Sequence, residues 1–260
     1  MGVLICASAM RILILGGTTE ASALAALLAG DSRFDATLSL AGRTASPKVQ
    51  PLATRIGGFG GADGLAQWIA AENVAAVIDA THPYADQISA NAVGACRQAA
   101  IPLVSIVRPA WQPVSGDRWQ VVASAEAAAA LGHAPRRVFL SLGRLDLHTF
   151  AAAPQHSYVA RIIDAPQQAE LPPDIRFLQA RGPFDLAAER RLLDDEKIDV
   201  VVSKNSGGTA TYPKIEAARE RGLPVVLIAR PDKPMGHAVA GPQAAIDWLL
   251  HATPRSLRGV

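Results

Sequence analysis

Short apolar runs alternate along the chain with longer stretches in which apolar residues recur at helical spacing. This rhythm is typical of parallel β-strands joined by crossover helices, an α/β fold. Because the apolar runs have no polar breaks, we expect both faces of each sheet to be covered. The predicted strands are Arg11–Leu15, Ala36–Leu40, Ala75–Asp79, Leu103–Val107, Arg137–Leu142, Tyr158–Ile163, Arg176–Gln179, Asp199–Ser203 and Val225–Ala229. The predicted helices are Glu20–Ala29, Gly64–Glu72, Asp86–Ala99, Asp185–Glu196, Tyr212–Arg221 and Pro242–Leu250.

An internal sequence repeat, which we call the echo, indicates that this pattern is duplicated. Asp79–Pro109 aligns without gaps onto Val201–Pro231, and in both segments a strand ends in a hydroxyl residue, Thr81 or Ser203. A helix follows, and a second strand ends in Arg-Pro. Strand–helix–strand units also resemble one another through shared physical constraints. A duplicated half is the better interpretation, because loop, helix and strand keep register together.

We therefore predict two Rossmann-like lobes with parallel sheets and a cleft between them, comprising residues 1–120 and residues 121–260. Glycines and prolines between positions 113 and 135 support a boundary in that region. In doubly wound sheets, ligands bind outside the carboxyl ends of the strands. The functional residues are accordingly expected in loops that follow predicted strands.

The first such loop is a glycine turn between a predicted strand and a predicted helix. It consists of Gly16, Gly17, Thr18, Thr19 and Glu20. Glycines at this place let backbone N–H groups approach a phosphate at the positive end of the helix dipole. The turn departs from G-x-G-x-x-G because Thr18 replaces the second spaced glycine, and it lacks the lysine of a phosphoryl-transfer loop. The alternative interpretation is a tight turn with an N-cap threonine.

Arg43 follows the second predicted strand. An NAD site would place a carboxylate there to bind the ribose hydroxyls. A guanidinium instead matches a 2′-phosphate, so this residue favours NADPH as the cofactor. A solvated loop arginine is the alternative.

Thr81, His82, Pro83 and Tyr84 follow a predicted buried strand and precede a helix. Pro83 restricts His82 to extended backbone conformations, which aims a titratable ring over the strand ends. A single histidine is often structural, but this cluster at this topological position favours a role in a site.

The second half carries cations and a glycine-rich loop in corresponding places. Several cations together suit a substrate with many carboxylates, and a polar glycine-rich loop is able to cradle an anion. Solvated side chains and a mobile surface loop are the alternatives, and no His, Cys or Asp cluster has metal-ligand spacing. The candidate substrate-binding residues are Arg144, Arg181, Lys204, Asn205, Ser206, Gly207 and Gly208.

Composition narrows the classes of function. The chain has 25 Lys+Arg against 23 Asp+Glu, a net charge of +2 over 260 residues, which is too weak a field for nucleic-acid binding. No apolar run reaches the ~18–20 residues of a membrane span. The first ten residues lack the basic region of a secretory signal. We expect a cytoplasmic protein without nucleic-acid or membrane partners.

Four motifs stand out together: GGTTEA at Gly16–Ala21, DATHPYA at Asp79–Ala85, RGPF at Arg181–Phe184 and SKNSGG at Ser203–Gly208. In combination they resemble the precorrin-6A reductase family of cobalamin biosynthesis. The resemblance extends from Arg11 to about Pro231, nearly the whole chain. It implies an oxidoreductase that uses NADPH to reduce one C=C bond of the precorrin-6A macrocycle to give precorrin-6B.

The resemblance also implies roles for the candidate residues. The pyrophosphate is expected on Gly16–Thr19, the 2′-phosphate on Arg43 and the nicotinamide beside Thr81–Tyr84. A polycarboxylated, tetrapyrrole-derived substrate is expected on the cations and the glycine-rich loop of the second half, with transient contacts to neighbouring pathway enzymes. Candidates for the proton donor are His82, Tyr84, Lys204 or an ordered water.

Two alternatives stay open. One is a cobalt-precorrin-6A reductase that uses NADH, from the cobalt-containing branch of the pathway. The other is a non-catalytic, two-lobed binding protein for an anionic small molecule, which would need neither the glycine turn nor Arg43.

Overall fold

A computed structural model describes residues 9–42, 48–164 and 171–252 of the chain. The helices of these ranges are α1 (Thr19–Leu28), α2 (Gly61–Ala71), α3 (Asp86–Gln98), α4 (Leu186–Asp195), α5 (Pro213–Glu220) and α6 (Pro242–Ala252). Short 3-10 segments lie at Ser124–Glu126, Ala129–Leu131 and Arg144–Ala152. The strands are β1 (Met10–Leu15), β2 (Phe34–Leu40), β3 (Ala53–Ile56), β4 (Ala76–Asp79), β5 (Leu103–Ile106), β6 (Trp119–Val122), β7 (Arg137–Ser141), β8 (Ser157–Ile162), β9 (Ile175–Gln179), β10 (Val200–Lys204), β11 (Val225–Ile228) and β12 (His237–Val239).

The strands form two six-stranded sheets in which every neighbouring pair is parallel. The order is β12-β5-β4-β1-β2-β3 in the first sheet and β6-β11-β10-β7-β8-β9 in the second. The predicted α/β class with two Rossmann-like lobes is confirmed. The sequence pattern missed β3, β6 and β12, which are short edge strands with several exposed residues and therefore lack a continuous apolar run.

Two compact units divide the chain at its two Arg-Pro pairs. The first unit runs to Arg108 and resumes at Pro231, and the second comprises Pro109–Arg230. Each edge strand therefore pairs away from the sequence half that it follows, a strand exchange between halves: β6, which comes after β1–β5, pairs in the second sheet, and β12, which comes after β7–β11, pairs in the first sheet. The sequence-based division after residue 120 differs from this one, because local patterns do not show which sheet an edge strand joins.

The first sheet is covered on both faces, as the unbroken apolar runs predict. Ile12 and Ile14 of β1 point to a core that includes residues of α1 and α6. Leu13 and Leu15 point to the opposite core, which includes residues of α2 and α3. In the second unit, α4 and α5 pack on the strands through a core that includes Phe139. This alternation follows from the two-residue period of a strand.

Strand pairing corrects the register of the internal echo. Asp79 pairs with Ser105 in β5, whereas Ser203 pairs with Leu227 in β11. Because β5 and β11 correspond residue by residue in the aligned segments, the structural counterpart of Ser203 is Asp79 rather than Thr81. The alignment of hydroxyl residues was therefore wrong by two positions. The whole crossover from β10 to β11, helix included, is shorter than that from β4 to β5.

Candidate functional site

The glycine turn lies at the switch point of the first sheet. β1 lies between β2 and β4. The helices that follow β1 and β4, α1 and α3, pack on opposite faces of the sheet, which opens a crevice at the carboxyl ends of these two strands. Gly16 packs closely on β2, since a Cβ there would lie 2.6 Å from Leu38 Cδ1. Gly17 has φ +114°, a backbone conformation that favours glycine. The backbone conformation therefore favours glycine at position 17, and the close approach to β2 favours a small residue at position 16.

The hydroxyl of Thr18 is used within the protein. Its Oγ1 accepts a hydrogen bond from the N–H of Ala21 at 3.1 Å, which caps α1, and donates to the carbonyl of Ala80 at 2.6 Å. This pair of bonds ties the glycine turn to the end of β4. Because Thr18 already accepts the N–H of Ala21, an anion at the turn would have to bind other backbone N–H groups at this end of α1.

Glu20, in the first turn of α1, forms an ion pair with Arg108, which follows β5. Arg108 Nη1 lies 2.9 Å from each carboxylate oxygen. Burial opposes ionisation of Glu20, but its own backbone N–H, Arg108 and Thr19 lower its pKa overall. Thr19 Oγ1 donates to Glu20 at 3.0 Å. The structure thus assigns Glu20 a partner within the protein.

A buried polar cluster follows β4, and we call Asp79, Thr81, Ser89 and Lys233 the Asp79 cluster. Asp79 Oδ1 accepts from the N–H of Thr81 at 3.0 Å and from Thr81 Oγ1 at 2.6 Å, and Oδ2 accepts from Ser89 Oγ at 2.6 Å. Lys233 Nζ lies 3.4 Å from Asp79 Oδ2 and donates to Thr81 Oγ1 at 2.9 Å. Sequence reasoning missed Lys233, because its segment returns to the first sheet only through the strand exchange.

His82, Pro83 and Tyr84 form the turn between β4 and α3, and all three are half-buried. The N–H of Tyr84 donates to His82 Nδ1 at 3.3 Å, and the two ring centroids are 5.5 Å apart. The structure thus brings this predicted group to the same crevice as the glycine turn, through the bond between Thr18 and Ala80.

Arg43 lies outside the described residues, but another cation does lie at this edge of the sheet. Arg55 on β3 donates through Nη1 to Ser39 Oγ at 2.9 Å and to the carbonyl of Gly57 at 3.0 Å. Its guanidinium lies 3.7 Å from the ring centroid of Phe59, and burial lowers its pKa. Sequence reasoning did not single out Arg55, since β3 was not predicted.

The matching crevice of the second unit differs from the first. Gly143 is followed by the 3-10 segment Arg144–Ala152, and Arg144 at its start is half-buried. Lys204, at the end of β10, binds Asp146 of that segment with an Nζ–Oδ2 distance of 2.8 Å. The glycine turn that leads into an α-helix is thus a property of the first unit.

The glycine-rich loop of the second unit packs against Trp111. Asn205 Oδ1 accepts from the N–H of Trp111 at 2.8 Å, and Nδ2 donates to its carbonyl at 3.1 Å. Trp111 Nε1 donates to the carbonyl of Gly208 at 2.7 Å, and the N–H of Ser206 donates to the carbonyl of Lys204 at 2.8 Å. Gly207 is buried. The Asn205 amide therefore holds the loop in place.

A buried charge cluster lies next to the RGPF motif. Arg161 on β8 donates to both carboxylate oxygens of Glu189 on α4, at 2.6 and 2.8 Å, and both side chains are buried. The ring of Phe184 lies 3.9 Å from the Arg161 guanidinium, whereas Arg181 is exposed. Lys214 is also buried, with Nζ 2.8 Å from the carbonyl of Thr211.

Lys214 makes stability depend on pH. Burial lowers its pKa from 10.5 to about 7, an effect that Glu189 opposes and Arg161 reinforces. Because the unfolded chain binds more protons between these two values, we expect the free energy of unfolding to rise with pH from about 7 to about 10.5. The slope from this group is at most about 1.4 kcal/mol per pH unit.

Urea unfolding of the protein and of Lys214→Met between pH 7 and 10 measures this contribution. The difference between the two curves isolates Lys214 from other titrating groups. Parallel curves would contradict the assignment.

The described part of the chain shows neither a metal-binding cluster nor a membrane-spanning helix. Groups of three or more His, Cys, Asp and Glu side chains arranged to hold a metal ion are absent from residues 9–42, 48–164 and 171–252. Over the same ranges, every helix is too short or too polar to cross a membrane.

Comparison with known proteins gives a consistent result. Residues 11–250 match the family described as precorrin-6x reductase CbiJ/CobK. The chain is 53% identical over 221 residues to precorrin-6A reductase from Sinorhizobium sp, covering 85% of each chain. It is 50% identical over 250 residues to precorrin-6A reductase from Rhodobacter capsulatus, covering 95% of this chain and 99% of the relative.

Similarity to a cobalt-precorrin-6A reductase is lower. The protein of that name from Priestia megaterium is 29% identical over 256 residues, covering 93% of this chain and 99% of the relative. A solved structure of CobK precorrin-6A reductase is 50% identical, with a TM-score of 0.88, and covers 93% of this chain and 96% of that chain. The match over nearly the whole described chain, in sequence and in fold, means that this protein belongs to the precorrin-6x reductase family.

Proposed function

We propose that this protein reduces one C=C bond of the precorrin-6A macrocycle with NADPH, giving precorrin-6B in cobalamin biosynthesis. The observation that carries the proposal is the crevice of the first unit, where the glycine turn meets the Thr81–Tyr84 turn. Higher identity to the precorrin-6A reductases than to the cobalt-precorrin-6A reductase favours the cobalt-free substrate. The proposal includes a cytoplasmic location and transient contacts with neighbouring pathway enzymes.

Cofactor binding is proposed for the first unit. The Cβ position of Gly17 faces open space, which leaves the turn accessible to a pyrophosphate, and Thr18 holds that turn against β4. The nicotinamide, when bound beside Thr81–Tyr84, supplies the hydride, and the protein orients it and shields it from water. His82 and Tyr84 are the candidates in this unit for supplying the proton to the neighbouring carbon.

Substrate binding is proposed for the second unit. Arg144, Arg181 and Lys204 supply cations for the carboxylates of the macrocycle. Lys204 is held by Asp146, so a substrate carboxylate would join or replace that ion pair. Ser206–Gly208 contribute backbone groups, on a loop that Asn205 anchors to Trp111. Lys204 is also the candidate proton donor of this unit.

Arg43 is the residue proposed to select NADPH over NADH. A charged hydrogen bond contributes about 1.5–3 kcal/mol, so Arg43→Ala should raise the KM for NADPH roughly ten- to hundredfold. The KM for NADH should stay nearly constant, because NADH has no 2′-phosphate. Steady-state kinetics with both cofactors measures the two effects, and Arg33→Ala, on the exposed loop before β2, serves as a control. Equal effects on both cofactors would remove Arg43 from the 2′-phosphate.

Anaerobic incubation with precorrin-6A and NADPH tests the function directly. We expect NADPH oxidation, a change in the absorption of the macrocycle and a product heavier by two hydrogens. Cobalt-precorrin-6A with NADH is run in parallel. Faster turnover of that pair would favour the cobalt branch, and NADPH binding without turnover of either substrate would refute the reductase proposal.

A further inference from the structure

Lys233 has a defined place in the crevice of the first unit. Thr81 Oγ1 has one hydrogen, which it donates to Asp79, so it must accept its bond from Lys233 Nζ. A directed chain therefore runs from the Lys233 ammonium through the Thr81 hydroxyl to the Asp79 carboxylate. The Lys233 side chain is 13% exposed and that of Asp79 is 1% exposed, so the ammonium lies on the outer side of the cluster.

The segment that carries Lys233 is held firmly on the first sheet. The N–H of Gly236 donates to Ser105 Oγ at 3.0 Å, and a Cβ at Gly236 would overlap the carbonyl of Leu103. Pro234 restricts Lys233 to extended backbone. Immobilising a long lysine side chain costs rotamer entropy, so its fixed position at this crevice calls for an explanation.

The charge of Asp79 explains why Lys233 is held at this position. Asp79 already accepts three hydrogen bonds from neutral donors, so its hydrogen-bonding needs do not depend on lysine. Its negative charge is what those neutral donors leave uncompensated. A bare carboxylate beneath the nicotinamide position would attract the positively charged, oxidised ring more strongly than the uncharged, reduced ring.

We propose that Lys233 is a positioning residue of the reductase site, which fixes the Thr81 hydroxyl and balances the charge of Asp79 so that the reduced cofactor binds well. This inference rests on the proposed function and on the nicotinamide position beside Thr81. It assigns the strand exchange a consequence for the chemistry, since the segment that returns to the first sheet delivers this cation.

Cofactor binding without substrate tests the inference. NADPH is titrated by its fluorescence and NADP+ by competition, and the ratio of their dissociation constants, NADPH over NADP+, is compared among variants. Lys233→Met should raise this ratio roughly three- to tenfold, and Lys233→Arg should leave it near the parent value. Asp79→Asn in the Lys233→Met background should restore it, because the uncompensated charge is then removed.

Controls separate the possible failures. Lys197→Met removes an exposed lysine from the second unit and should change nothing, and thermal unfolding shows whether each variant is folded. An unchanged ratio in folded Lys233→Met overturns this inference while leaving the reductase proposal intact. Absence of NADPH binding by the parent protein would instead overturn the proposed function.

Discussion

Replacing Glu189 with glutamine is expected to lower the free energy of unfolding by about 3–5 kcal/mol, because it leaves the buried guanidinium of Arg161 without its counter-charge. The two side chains form a bidentate pair with side-chain exposures of 7% and 2%. Phe184 covers the guanidinium, so water cannot easily replace the carboxylate. Urea unfolding near pH 9, where Lys214 is largely uncharged, measures the loss due to Arg161.

Two variants serve as comparisons for Glu189→Gln. Glu220→Gln breaks an exposed pair with Arg190 and should have little effect, since water screens exposed charges. Replacing both Arg161 and Glu189 with methionine should cost less than Glu189→Gln alone, because no unpaired charge remains buried. A double variant that is less stable than the single one would contradict this account.

Gly207→Ala is expected to displace the glycine-rich loop and to lower the free energy of unfolding by about 2–5 kcal/mol. Gly207 has φ +67°, so any side chain there is strained. Its Cβ would also overlap the carbonyl oxygen of Pro109 and the guanidinium of Arg230. The clash involves backbone, which cannot rotate away as a side-chain end can.

Gly222→Ala isolates the backbone strain from the clash. Gly222 has φ +63°, and its Cβ would have no neighbour within 4 Å. This variant should therefore cost only about 1–2 kcal/mol. Chemical denaturation of both proteins gives the comparison. Equal losses would mean that the approach of Pro109 to Gly207 has no energetic consequence.

Much of the fold could be predicted because central strands are locally encoded. β1, β4, β7 and β10 are buried on both faces and read as unbroken apolar runs. β6 and β12 have exposed positions and join sheets formed by distant segments. Their place depends on which sheet edge is open to them, and no local pattern records that.

The candidate site also has parts that a local sequence pattern predicts and parts that depend on distant segments. The glycine turn was recognisable because Gly16 and Gly17 are adjacent in the sequence and stand between an apolar strand and a helix. The partners of Glu20 and Thr81 were not, since Arg108 and Lys233 reach them from distant parts of the chain. The sequence predicted that the loop of Asn205 binds an anion, and the structure adds that the Asn205 amide bonds the backbone of Trp111.

The amino-acid sequence by itself determined the α/β class, the duplicated rhythm, the glycine turn and the motifs that mark the family, because each depends on residues close together in the chain. Only the tertiary structure decided the exchange of β6 and β12, the true register of the echo, the Asp79 cluster and the buried pair of Arg161 and Glu189. These depend on strand pairing and on charges brought together from distant segments. Burial then makes such charges require partners, and the fold alone determines which partners they have.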